Sequence, residues 1–174
     1  KIDKNRRSYI ESNHTSTHLL NLALRNILGN HVEQRGSMIS DKMFRFDFSH
    51  QNKITDSELI SINNFVNEKI TESIDIIENR EEDYDTAIKN GAIGLFTEKY
   101  EDKVRTIKFN DSYELCGGTH VKNTSLISAF KIISEGSQAF GIRRIVATSN
   151  KEQIISENLK QKEIKEKANS DNLN

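Results

Sequence analysis

The sequence has no proline, a single cysteine, no excess of positive charge and no long apolar run. One cysteine rules out an internal disulfide framework and suits a reducing compartment; it also makes that residue worth reading as a ligand or nucleophile. Twenty-five basic residues against twenty-six acidic ones leave a formal charge of −1, so the total does not mark a strongly basic nucleic-acid binder. No stretch approaches the roughly 20 apolar residues that span a bilayer, and the basic amino end is not followed by a signal-peptide core. No membrane anchoring or export is expected, and a cytoplasmic location is. The missing proline, beside frequent isoleucine and asparagine, reads as genome composition rather than function.

What is present fits one ordinary domain or a compact pair. The 174 residues, 34% hydrophobic and 29% charged, are long enough to bury a modest core. The chain begins with lysine, which suggests a segment of a longer protein.

Leu19, Leu20, Ala23, Leu24, Ile27 and Leu28 recur at helical spacing, so the pattern predicts a helix from about Asn13 to Leu28, with Gly29 as a left-handed cap. Phe44, Phe46 and Phe48 alternate with Arg45 and Asp47, the signature of a strand with one buried face, and 32–39 is its expected partner. Thr55 and Glu58 have capping-box spacing ahead of an amphipathic helix carrying Leu59, Ile62, Phe65, Val66 and Ile70. Strands are expected near 73–77, 104–109, 127–134 and 142–148, a short helix near 84–90, and a last helix capped by Ser149 and Glu152. The class that fits this order is α+β: a mixed, largely antiparallel sheet packed with helices. Composition divides the chain into a domain over 1–148 and a helical linker or frayed tail over 149–174.

Two residue pairs carry chemistry. His14 and His18 lie four apart on the first helix, so both rings leave one face and can share a metal ion; two capping or surface histidines are the ordinary alternative. Thr15 stands where a zinc peptidase helix has its glutamate base, which disfavours that enzyme class. Cys116 and His120 have the same separation, with Gly117 and Gly118 between them, and a glycine turn lets thiolate and imidazole converge. Three histidines and one cysteine make a plausible nitrogen and sulfur set for zinc.

At these residues the sequence resembles the editing domain of alanyl-tRNA synthetases. The resemblance runs through Asn13–Leu20, Ala23–Arg25, His31–Ser37, Arg45–His50, Gly91–Ala92, Leu95–Phe96, Glu98–Tyr100, Cys116–Val121 and Gly141–Ile145, in the family's order. It covers nearly the whole chain to about Thr148. Threonyl-tRNA synthetase editing domains and free-standing editing proteins share the histidine pair; the Gly118-Thr119-His120 turn and the Arg45–His50 strand favour the alanyl branch.

The resemblance implies hydrolysis of serine or glycine wrongly esterified to alanine tRNA. A pocket that admits alanine cannot strongly reject either, so a second site must destroy the errors. It implies that His14, His18, Cys116 and His120 hold one zinc ion. Four protein ligands fill a tetrahedral site, so catalysis there would need a loosened ligand, an expanded coordination or a zinc that only positions substrate. The favoured reading is a site with an exchangeable water beside the ester carbonyl. Thr17 would recognise the serine hydroxyl, against the ordinary role of a helix threonine bonding back to its own backbone. Gln34 would position substrate or water, since an amide cannot act as a base at neutral pH. Gly117 and Gly118, with Arg143 or Arg144, would meet the tRNA acceptor end, although in a strand the two arginines face opposite ways. Asp47 reads as solvated or paired with a neighbouring strand.

The expected partners are the acceptor end of alanine tRNA carrying serine or glycine and the remaining synthetase domains. The chain leaves no room for alanine activation with ATP. The alternatives are a free-standing deacylase and a zinc-stabilised RNA-binding module without hydrolysis.

Overall fold

The computed structural model describes residues 2–94 and 100–171. Leu95, Phe96, Glu98 and Lys99, which carry part of the resemblance, lie outside the described residues. The order is α1 (Lys4–Leu28), β1 (Gln34–Ile39), β2 (Phe44–Ser49), α2 (Asp56–Thr71), β3 (Ile77–Asp83), α3 (Tyr84–Lys89), β4 (Lys103–Phe109), β5 (Ser112–Leu115), β6 (Lys131–Ala139), β7 (Ile142–Thr148) and α4 (Lys151–Asp171). The class is α+β, as expected. Among the described residues the strands form two separate antiparallel sheets, ordered β1-β2-β7-β6 and β3-β4-β5; the largely antiparallel pairing is as expected, and the division into two sheets is not.

Helix α1 starts nine residues before the predicted start at Asn13, because the Asp3 carboxylate accepts the Asn5 and Arg6 N–H groups and caps a polar first stretch. His14 and His18 therefore sit in mid-helix, and a capping role is excluded for both. The helix ends at Gly29, whose φ of 118° and ψ of 167° are open to glycine but are not the left-handed helical cap expected. The α2 capping box forms as predicted: Glu58 N–H reaches Thr55 Oγ1 at 3.2 Å, and Thr55 N–H reaches Glu58 Oε2 at 2.7 Å.

The core gathers Leu19, Leu20, Ala23 and Leu24 of α1 over Phe44, Phe46 and Phe48 of β2, with Ile62 and Val66 of α2 and Ile107 of β4. Burying each such phenylalanine contributes about 1.5–3 kcal/mol, so the period-two strand fixes which face of the first sheet meets α1. Helix α1 is buried on its other side as well, where Asn13, Thr15, Thr17, His18 and Asn21 lie. A polar helix face survives burial only if it is bonded. Asn13 spans Ser40 O and Ser149 N at 2.8 Å each, and Ser16 Oγ meets Ser149 Oγ at 2.6 Å.

Three elements differ from the sequence reading. β3 begins at Ile77, after a turn that holds Ser73 at φ 55°; β6 begins at Lys131; and β5 was not anticipated. The cap of α4 is Asn150, whose Oδ1 accepts from Glu152 and Gln153, while Ser149 is spent on α1. No helix among the described residues is long and apolar enough to cross a membrane.

Candidate metal centre and adjoining cavity

Mid-α1 and the turn after β5 bring His14, His18, Cys116 and His120 together, with one ligand atom from each lying within 4.8 Å of all the others. The Cys116 sulfur is 3.4 Å from both His14 Nε2 and His120 Nε2, and accepts the Gly118 N–H at 3.4 Å. The far sides of two rings are tied down. His14 Nδ1 faces Thr119 O at 3.1 Å, and His120 Nδ1 faces Thr15 Oγ1 at 3.1 Å. With Nδ1–H donating in each ring, the bare Nε2 is directed at the thiol. Thr15, which occupies the peptidase base position, also accepts the Val121 N–H and so joins α1 to the turn.

Burial pushes the pKa values of all three imidazoles down; Arg105 adds to the effect in each, neighbouring rings add to it at His18 and His120, and the Thr119 carbonyl opposes it at His14. Neutral imidazoles are the form that donates to a metal. His18 Nδ1 is buried without a hydrogen-bond partner, which a purely structural histidine seldom tolerates. The donor set therefore fits a metal ion, and its softness fits zinc better than magnesium or calcium.

Arg105 on β4 was not picked out by sequence. Its Nη1 donates to Cys116 O at 2.7 Å and Gly118 O at 2.6 Å, while its Nε donates to Glu78 Oε1 at 2.7 Å. The guanidinium fixes the curvature of the ligand turn from behind. Glu114, also unremarked, is 92% buried on β5. Its Oε1 accepts from Asn21 Nδ2 at 2.9 Å and its Oε2 is 3.5 Å from His18 Nε2. Burial raises its pKa to about 7. The period-two spacing of Glu114 from Cys116 was the available signal, since it places both on one side of an extended chain.

The cluster opens on a cavity of about 350 Å³ whose wall includes His14, Thr17, His18, Gln34, Glu114 and Cys116. Thr17 and Gln34 are thus brought to the same space as His14, His18 and Cys116. Thr17 Oγ1 donates to Asn13 O at 2.9 Å, the ordinary helix role, and retains lone pairs to accept another bond. Gln34 Nε2 reaches Ser37 Oγ at 3.1 Å, next to an irregularity in the β1 register. Gly117 and Gly118 form the ligand turn, and a Cβ on Gly117 would meet nothing within 4 Å.

Arg143 and Arg144 do not line this cavity. Arg143 Nε pairs with Glu135 across β6, and Arg144 makes two bonds to Asp47 on β2, at 2.6 and 2.7 Å. They leave opposite faces as a strand requires, and Asp47 is paired with a neighbouring strand.

Residues 104–146 match the family model described as threonyl and alanyl tRNA synthetase second additional domain. The alanine–tRNA ligase of Christiangramia forsetii is 56% identical over 146 residues, covering 84% of this chain and 17% of that protein. That of Thermoanaerobacter pseudethanolicus is 51% identical over 168 residues, covering 90% and 19%, and that of Wolbachia pipientis is 46% identical over 153 residues, covering 88% and 17%. The chain spans between 17% and 19% of the length of these curated relatives.

Proposed function

The chain belongs to the alanine–tRNA ligase family over the segment it covers, and on that premise we propose that it hydrolyses serine and glycine wrongly esterified to alanine tRNA. The observation that carries this reading is the four-donor cluster opening directly onto a cavity that also holds Thr17 and Gln34. His14, His18, Cys116 and His120 hold one zinc ion. Zinc supplies Lewis-acid charge to an ester hydrolysis.

The other residues supply selection and orientation. Thr17 uses its proton on Asn13 O, so toward substrate its hydroxyl oxygen acts as an acceptor. A serine hydroxyl satisfies that oxygen, whereas the methyl of a correct alanyl ester leaves it unpaired, so Thr17 selects the seryl ester over the alanyl one and gives the glycyl ester no such advantage. Gln34 carries both an amide donor and an amide acceptor and orients the ester or water without taking a proton. Gly117 and Gly118 leave the backbone accessible to the terminal nucleotide. Only one of Arg143 and Arg144 can face the tRNA, and Arg144, the more exposed, keeps guanidinium N–H groups beyond those given to Asp47 and offers these to a tRNA phosphate. The remaining synthetase domains are the natural partners for holding the body of the tRNA.

Deacylation of seryl-, glycyl- and alanyl-tRNA by this chain, with and without zinc, tests the reading. Seryl and glycyl esters should be cleaved and the alanyl ester spared. Activity should vanish on metal removal, return with added zinc, and be absent from Cys116→Ala. Binding of tRNA without hydrolysis would instead mark an RNA-binding module, and full activity in metal-free protein would sink the role given to the four donors.

A further inference from the structure

The sequence holds five histidines, and three of them sit in the donor cluster. The other two, His31 and His50, meet each other outside it: His31 Nε2 lies 2.9 Å from His50 Nδ1, with the ring planes 25° apart. The backbone holds them there. The β1–β2 pairing runs on past Gln34, where Ser49 N–H reaches Glu33 O at 3.0 Å. Ser49 Oγ then donates to His31 O at 2.8 Å and accepts the Glu33 N–H at 2.9 Å, while His50 N–H is fixed on Gly141 O at 3.0 Å. The pair is thus preorganised and also accessible, since His31 is exposed and both residues line a cleft shared with Lys53, Thr55 and Glu58. Glu58 gives its Oε2 to the Thr55 cap, and its Oε1 takes no part in that cap.

Two ring nitrogens at this spacing share a single hydrogen, because two facing lone pairs or two facing N–H groups repel. A divalent cation can take that hydrogen's place. Nitrogens on adjacent corners of an octahedron or a square lie about 3.0 Å apart when the bonds are about 2.1 Å, whereas tetrahedral ones lie about 3.4 Å apart. The observed 2.9 Å fits the right-angled arrangement. Nickel and copper(II) adopt it with imidazole and oxygen ligands. We propose that His31 and His50 form a second metal site, separate from the four-donor cluster, for a divalent ion of right-angled coordination such as nickel or copper(II), with water and the Glu58 carboxylate completing the shell. Binding shifts the shared hydrogen to an outward ring nitrogen and turns both lone pairs onto the ion, so a neutral pair releases no proton. Lys53 and Glu58 leave the cleft with little net charge, and selection rests on the imidazoles. An ion held here clamps the chain leaving α1 onto the chain leaving β2, directly ahead of Glu33 and Gln34 in the cavity wall. The site stands independently of the deacylase reading.

Equilibrium dialysis of the zinc-loaded chain against nickel chloride, with both metals counted by atomic emission, tests the site. The wild-type chain should take up nickel while keeping its zinc. His31→Gln and His50→Gln should each weaken nickel binding by at least about tenfold, since losing a ligand costs no less than losing a ligand's support, and should leave the zinc content unchanged. Both side chains lie at the rim of the cleft, and far-ultraviolet circular dichroism checks that the variants keep the fold. Nitrogen-15 NMR locates the ion in the wild-type chain: paramagnetic nickel should first broaden the amide signals of His31 and His50. A wild-type chain that takes up no nickel overturns the site. So do His31→Gln and His50→Gln chains that bind nickel as tightly as wild type, and so does broadening centred on His14 and His18.

Discussion

Gly118 stands so close to His14 that a Cβ built on it would lie 2.0 Å from the His14 Cε1 and 2.6 Å from its Nδ1. An alanine Cβ has no rotamer of its own, so the relief must come from the His14 side chain and Gly118→Ala pushes the ring out of the cluster. The expected outcome is metal affinity weaker by about 10–100-fold, the range seen when the supports of a ligand are removed. Gly117→Ala meets nothing within 4 Å and should retain its affinity. Competition with a chromophoric chelator measures both, with far-ultraviolet circular dichroism checking that the fold persists. Unchanged affinity in Gly118→Ala would mean that His14 is not a ligand.

Arg105 offers a different test, because its bonds to the turn go to main-chain carbonyls. Arg105→Met removes the bonds to Cys116 O and Gly118 O and leaves two inward carbonyls without their donor. Metal affinity should fall by about tenfold or more, with the ligand set unchanged. Arg105→Lys should recover part of it, since an ammonium can serve one carbonyl but cannot span two and Glu78 together. The cobalt-substituted absorption spectrum gives a readout of donor identity: its thiolate band should persist in both variants while the dissociation constant shifts.

Thr17→Val preserves shape and deletes one oxygen. Its hydroxyl bond to Asn13 O is an optional helix contact, so stability should change little. Discrimination between seryl- and alanyl-tRNA should shrink by about tenfold, in line with one lost neutral hydrogen bond. The ratio of kcat/KM for the two substrates measures this, and an unmoved ratio would assign Thr17 to the helix alone.

The Asp47–Arg144 pair predicts an acid-side effect. The hydrogen bonds from Arg144 hold the Asp47 carboxyl below its ordinary value in the folded chain. A depressed carboxyl contributes stability that is present above the unfolded-state pKa and is lost as pH falls through the folded one. Asp47→Asn should therefore lower Tm at pH 7 by about 2–4 °C, taking the paired charge at roughly 1 kcal/mol. The gap to wild type should narrow as pH drops below about 4. A gap independent of pH, read by thermal melts across that range, would show that the loss is steric.

Legibility from sequence followed physical regularity. The rings of His14 and His18 were readable because a helix repeats every 3.6 residues, and the three phenylalanines of β2 because a strand repeats every two. The polar start of α1 was not, because residues 4–12 carry no apolar repeat and the Asp3 cap shows only once the chain is coiled. β3 hid for the same reason, its sequence Ile77–Asp83 being almost entirely exposed. The four-residue β5 was masked by the glycine turn that follows it. Irregularities in the pairing of β6 with β7, at Ile132/Ser134 and Ser137/Ala139, interrupt the alternation that would have marked its bounds. Within the site, the four donors announced themselves by type and spacing. Arg105 and Glu114 did not, since an arginine or glutamate in a charged sequence gains meaning only from what it faces.

The two halves of the donor cluster come from α1 and from a turn 102 residues further along the chain. An ion shared between them is therefore a cross-link that closes most of the polypeptide into one loop. Such a closure raises the free energy of the open chain more than that of the native one, so part of the binding energy becomes folding energy. With free metal at 100 times its dissociation constant, the gain is about 2.7 kcal/mol. Metal affinity and endurance in this segment are then linked, and removing the ion should lower its melting temperature as well as empty the cluster.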